Sequence, residues 1–147
     1  MKRAQASRSL VRIASLWITL AAGCSGTGGP ECYPVRGQVL RDGKPLAEAQ
    51  VCFHPLDSAL PGVPRPQATT DEQGRFALTT LQTDDGAPAG KYRITVERRA
   101  PRKIGEELVR DGDNELPARY AQAAMTPLEF AVQPGENEVP PLVIDGR

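Results

Sequence analysis

The side chains able to do chemistry in this 147-residue chain are few. They are the thiols Cys24, Cys32 and Cys52, the single imidazole His54, and the acidic runs Asp84-Asp85-Gly86 and Asp111-Gly112-Asp113-Asn114-Glu115. An imidazole acts as a general base only when a nucleophile lies within its reach. The serines after Cys24, Ser25 and Ser58, both lie in loop sequence, so His54 reads as a polar residue on the outer face of a strand. The acidic runs offer oxygen atoms without the spaced loop, central Gly and distal Glu of a calcium site. They read as solvated loops. Two cysteines without CxxC spacing and one histidine make a poor ligand set for zinc. No metal, no cofactor and no enzymatic activity is expected.

Cys24 differs from the others because of what precedes it. Lys2, Arg3, Arg8 and Arg12 give a basic start, the apolar run Ile13–Ala22 follows, and then come Gly23-Cys24 and the loose Ser25-Gly26-Thr27-Gly28-Gly29-Pro30. That is the order of an export signal ending in small residues at a cleavage site. The apolar run is half the roughly twenty residues that a helix needs to span a bilayer.

The combination resembles the lipobox of bacterial lipoproteins, with Ala21 where Leu is usual and Leu20 one position early. The resemblance implies a diacylglyceryl group on the Cys24 thiol, cleavage before it, and further acylation, palmitate being a typical chain. Two or more acyl chains anchor a protein stably where one does so only marginally. Residues 1–23 are then a signal peptide and 24–32 the lipidated cysteine and a flexible tether. An ordinary secreted protein with Cys24 incidental and an uncleaved signal anchor are the alternatives. Ser25 stands where some bacteria read Asp as an inner-membrane retention signal, which favours the outer membrane where one exists.

Losing the four basic residues before Cys24 leaves 14 Lys and Arg against 18 Asp and Glu, a net charge of about −4. Such a balance argues against nucleic-acid binding, which normally shows a basic stripe. The cluster Arg98-Arg99-Ala100-Pro101-Arg102-Lys103 has acids close by in sequence and reads as a mixed-charge loop. Outside the cytoplasm Cys32 and Cys52 are expected to pair as a disulfide. The alternative is Cys52 buried as a small apolar side chain with Cys32 free.

The elements that would hold these residues have period two. Val35, Gly37 and Val39 alternate with polar neighbours, Asp42-Gly43-Lys44-Pro45 supplies turn chemistry, and Ala47, Ala49, Val51 and Phe53 alternate again. This predicts two half-buried strands joined as a hairpin. Short strands follow at Ala68–Thr70, Arg75–Thr79, Lys91–Glu97, Leu128–Val132 and Pro141–Ile144, and one helical turn is expected within Leu116–Ala121. The expected core is Val35, Val39, Val51, Phe53, Phe76, Leu78, Tyr92, Ile94, Val96, Leu128, Phe130 and Val132. The fold class is all-β, a single antiparallel β-sandwich of about seven strands over residues 33–147.

The ordered set Val35-x-Gly37-x-Val39, Asp42-Gly43-Lys44-Pro45-Leu46, Ala49-x-Val51-x-Phe53, Thr70-Asp71-x-x-Gly74-x-Phe76 and Pro88-x-Gly90-x-Tyr92-x-Ile94-x-Val96 resembles the carboxypeptidase regulatory-like, transthyretin-like domain. Leu116-Pro117-x-x-Tyr120, Thr126-Pro127-Leu128 and Gly135-x-Asn137 are similar to the tail of small bacterial lipoproteins that carry it. The resemblance implies a prealbumin-like sandwich and a module without catalytic activity. The transthyretin-like hydroxyisourate hydrolases use several histidines and a Tyr-Arg-Gly-Ser terminus; His54 alone and the ending Val143-Ile144-Asp145-Gly146-Arg147 depart from both.

The expected role is a membrane-anchored structural or protein-interaction module of the cell envelope. Its partners are membrane lipid through acylated Cys24 and an envelope protein or polysaccharide, with no nucleic acid. The second reading is a carbohydrate- or small-ligand-binding module. For that reading the spare aromatics are Tyr33 and Tyr120, since Trp17 leaves with the signal and the other aromatics fit inward positions.

Overall fold

Asp42 and Gly43 both take left-handed backbone, with φ of 49° and 78°, the two-residue turn that best matches the twist of flanking strands. The structure, a computed structural model, describes residues 29–57 and 61–146. Cys24, the signal peptide and most of the tether lie outside the described residues.

In chain order the strands are β1 (Cys32–Tyr33), β2 (Val35–Arg41), β3 (Lys44–Pro45), β4 (Gln50–Pro55), β5 (Gln67–Thr69), β6 (Arg75–Ala77) and β7 (Ala87–Pro88). After them come β8 (Gly90–Glu97), β9 (Arg102–Ile104), β10 (Glu107–Val109), the short helix α1 (Ala118–Ala121), β11 (Glu129–Val132), β12 (Asn137–Glu138) and β13 (Leu142–Ile144). One sheet is antiparallel in the order β11-β8-β4-β5. The other is built on β2, with β12 and β13 parallel to it on one side and β6 and β3 antiparallel on the other. The all-β sandwich is thus as expected, but its second sheet is mixed. The parallel pairs arise because the chain returns from β11 to the β2 edge through Pro134-Gly135 and runs in the same direction as β2.

The alternating residues of both sheets meet in one core. Val35 and Val39 of β2 face Val51, Phe53, Ile94 and Val96 of the other sheet, all essentially inaccessible to solvent. Of the twelve expected core residues, Leu128 and Phe130 are only half-buried and pack against the cluster, and the rest are buried. The Phe53 and Tyr92 rings lie 5.7 Å apart and tilted, a favourable aromatic geometry.

The predicted hairpin of the first two long strands does not form. β2 turns back only into the two residues of β3, and β4 pairs with β5 and β8 in the opposite sheet. The crossing between sheets is fixed by Glu48, at φ 57°, and by the buried Thr70. The Thr70 hydroxyl donates to the Leu46 carbonyl at 2.6 Å and accepts the Ala49 N–H at 2.9 Å. A buried hydroxyl satisfied on both sides holds the crossover as firmly as a ladder bond would. Reciprocal bonds between Gln67 and Thr79 stitch the two sheets along the same edge.

Candidate functional site

The domain has two ends, set by the direction of its strands. β1 pairs with β7, just before β8 begins at Gly90, so the tether enters beside the start of β8. β8 runs eight residues to Glu97, a span of roughly 25 Å at about 3.3 Å per residue. Beyond it project β9 and β10, joined by Gly105-Glu106. The β9–β10 hairpin was not anticipated. It leaves Ile104 51% and Leu108 71% exposed at the end away from the tether.

The basic cluster at the root of this hairpin is largely paired. Arg98 meets Glu115 at 3.4 Å, Arg99 meets Glu97 at 2.9 Å, and Arg102 pairs with Asp111. Arg110 reaches Glu48. The mixed-charge loop expected from the sequence is therefore a set of short ion pairs. Asn114 spends its side-chain oxygen on the Arg98 and Leu116 N–H groups.

At the tether end, Gly86 has φ +88°, and a Cβ there would fall inside the Tyr33 carbonyl group. Only glycine lets β1 approach β7 so closely. Asp85 organises the same loop, its carboxylate accepting the N–H groups of Thr80 at 2.7 Å and of Leu81 and Gln82 at 2.9 Å. Burial pushes the Asp85 carboxyl up, but these bonds outweigh it and hold it below the ordinary carboxylate range. The acidic run Asp84-Asp85-Gly86 is a loop clasp.

Cys32 and Cys52 are free thiols, so the expected disulfide is corrected. Cys32 pairs opposite Pro88, and Cys52 sits on β4 opposite Thr95. Pro88 and Thr95 are separated by a mostly extended stretch of roughly 20 Å, whereas a disulfide needs Cα atoms within about 7 Å. Cys32 lies against the Thr80–Gly86 loop. Burial, then the Asp85 charge, raises the Cys32 thiol, partly offset by a bond to Thr80. Burial also raises Cys52, with Arg65 opposing and Glu97 adding. Both stay protonated and weakly nucleophilic at neutral pH.

His54 lies on the half-buried outer face, as expected. Its Nε2 is 2.9 Å from the Thr95 hydroxyl. Burial and then Arg65 lower its pKa from 6.5, so the ring is neutral near pH 7.

The two aromatic candidates do not form an exposed platform. Tyr33 is half-buried against the core, and its hydroxyl donates to Glu31 at 2.9 Å. Tyr120 is corrected outright: it is only 2% exposed and belongs to the core. The reason is α1. This single turn rolls Tyr120 inward, and the hydroxyl accepts the Asp145 N–H.

The sequence reading also missed a cavity of about 180 Å³ at the tether end, between the β4–β5 connection and the start of β8. Its walls include Pro55, Val63, Pro64, Pro66, Pro88 and Tyr92, with Asp57, Arg65 and Lys91 at its rim. The available signal was the density of prolines over residues 55–67.

No protein-family model matches the chain, and no curated protein matches it significantly. Among solved structures the chain is similar to the crystal structure of a DUF3823 family protein from Parabacteroides merdae, at 13% identity and a TM-score of 0.40. The likeness covers 79% of this chain and 47% of that one, so the chain spans about half the length of that structure.

Proposed function

We propose that the chain is an exported lipoprotein, anchored through Cys24, whose carboxypeptidase regulatory-like sandwich serves as a non-catalytic structural or protein-interaction module at the cell envelope. The observation that carries the anchor is the order of basic start, short apolar run, small residues and Cys24. The anchoring membrane is the outer one where there is one, in keeping with Ser25. An interaction role is supported by the β9–β10 hairpin. A lone two-stranded ribbon is marginal in water, and this one holds Ile104 and Leu108 out from the end opposite the tether. Exposed apolar side chains on a projecting element suit a protein partner. The Asp85 carboxylate is occupied by three backbone N–H groups.

Mass spectrometry of the mature N-terminus, combined with membrane fractionation of Cys24→Ser, tests the anchor. The expected result is an acylated Cys24 as first residue and release of the variant into the soluble fraction. An intact Met1 terminus, or unchanged partitioning of the variant, overturns it. For the module, affinity capture from solubilised envelopes should give a stoichiometric protein partner that is lost on Leu108→Asp; turnover by the purified protein would overturn the non-catalytic reading.

A further inference from the structure

We infer that the cavity at the tether end is a binding site for a small amphiphilic anion, a single ring or short alkyl chain bearing one carboxylate. Its size sets the first limit. At about 180 Å³ it is comparable to an engineered apolar cavity of about 150 Å³ that takes up benzene. Pockets for drug-sized ligands run from about 300 Å³, so a single ring fits and a disaccharide does not.

The wall is mostly apolar, in part for a covalent reason. Proline has no N–H, and four prolines contribute to the lining. Three polar groups beside it are already paired. The Tyr92 hydroxyl donates to the Pro88 carbonyl at 2.8 Å. The Pro66 carbonyl accepts the Phe53 N–H at 2.9 Å, and the Lys91 carbonyl accepts the Leu56 N–H at 2.8 Å. An apolar body entering there leaves these three bonds intact.

Polar recognition falls to the rim. Arg65 and Lys91 are exposed there, and neither has a carboxylate within ion-pair distance among the described residues. Asp57 contributes one opposing charge. Two cations against one carboxylate make the mouth positive on a mature chain whose net charge is about −4. Most of the other described cations sit in ion pairs; these two share a single acid, Asp57, at the edge of an apolar hole. A carboxylate at the mouth, with its hydrocarbon on the proline wall, satisfies both features. The inference does not depend on Cys24 or on the hairpin.

The test is a titration of the isotope-labelled full chain in phosphatidylcholine nanodiscs with 3-phenylpropionate, followed at the methyl groups of Val63 and Ala89, with empty nanodiscs in parallel. Saturable shifts at both residues are expected. Affinity should fall about fivefold or more in Arg65→Met with Lys91→Met, both exposed positions that leave the fold intact. Val63→Trp, which fills the cavity, should abolish the shift at Ala89. The inference is overturned by no saturation up to about 10 mM, by equal affinity for 3-phenylpropan-1-ol, or by unchanged affinity in the double variant.

Discussion

The Tyr120 hydroxyl accepts the backbone N–H of Asp145 at 3.2 Å, pinning the four-residue α1 to the end of the last strand. Arg119 lies over the same ring, 4.8 Å from its centroid, and donates to the same oxygen at 3.3 Å. A helix this short has no stability of its own. The buried ring keeps it in place and closes the end of the core. Removing only the hydroxyl, in Tyr120→Phe, should cost about 1 kcal/mol. Removing the ring, in Tyr120→Ala, should cost about 3–5 kcal/mol. Urea unfolding midpoints measure both; an alanine variant within 1 kcal/mol of the parent would mean the ring is not packed as described.

Asp85 should govern the acid side of stability. Its folded pKa lies below the ordinary 3.8, so the unfolded chain takes up the proton first as pH falls. The contribution is fully present above the unfolded value and disappears as pH drops through the folded one. Asp85→Asn should cost about 1–2 kcal/mol at pH 7, allowing for solvent screening of a half-buried group. The variant should also have a flatter stability profile below pH 4. Parallel acid limbs for parent and variant would show that the loop does not rely on the carboxylate.

His54 acts in a different window. A base whose folded pKa lies below 6.5 is protonated in the unfolded chain before it is in the folded one. Stability should therefore fall as pH drops below 6.5 and level off below the folded pKa. The depressing causes are burial on the β4–β8 face and the nearby Arg65. In His54→Gln this slope between pH 7 and 5 should vanish while the acid limb of Asp85 remains. Thermal midpoints across that range decide it.

Faces were more legible in the sequence than neighbours. Period-two alternation announced that Val51 and Phe53 point inward, and they do. It carried no information on which strand lies alongside, so β4 was assigned to a hairpin with β2. The true crossover depends on a left-handed Glu48 and a buried Thr70, neither of which has a local pattern. β9 and β10 have nearly every residue exposed, so no alternation existed to find. Tyr120 looked spare because it follows strand periodicity nowhere; its burial comes from a single helical turn flagged within Leu116–Ala121 but not given a face. The cavity is invisible for a similar reason, since Pro55 and Tyr92 come together through the β4–β8 pairing.

Gly37 tests the packing between β2 and its neighbours most directly. It pairs with Phe76, and a Cβ at Gly37 would lie 2.8 Å from Phe76 Cζ and 2.9 Å from Val139 Cβ. The Phe76 ring and Val139 thus occupy the space that any other residue would need. Gly37→Ala gains about 0.5–1 kcal/mol of backbone preference but forces the ring to move, at a cost of about 1–3 kcal/mol. Net destabilisation is expected. Phe76→Leu destabilises on its own by leaving space, yet in the double variant the new methyl group takes up part of that space. The two effects should add to less than their sum, with a coupling of about 0.5 kcal/mol or more. Strict additivity in chemical denaturation would mean that the glycine is not there to seat the ring.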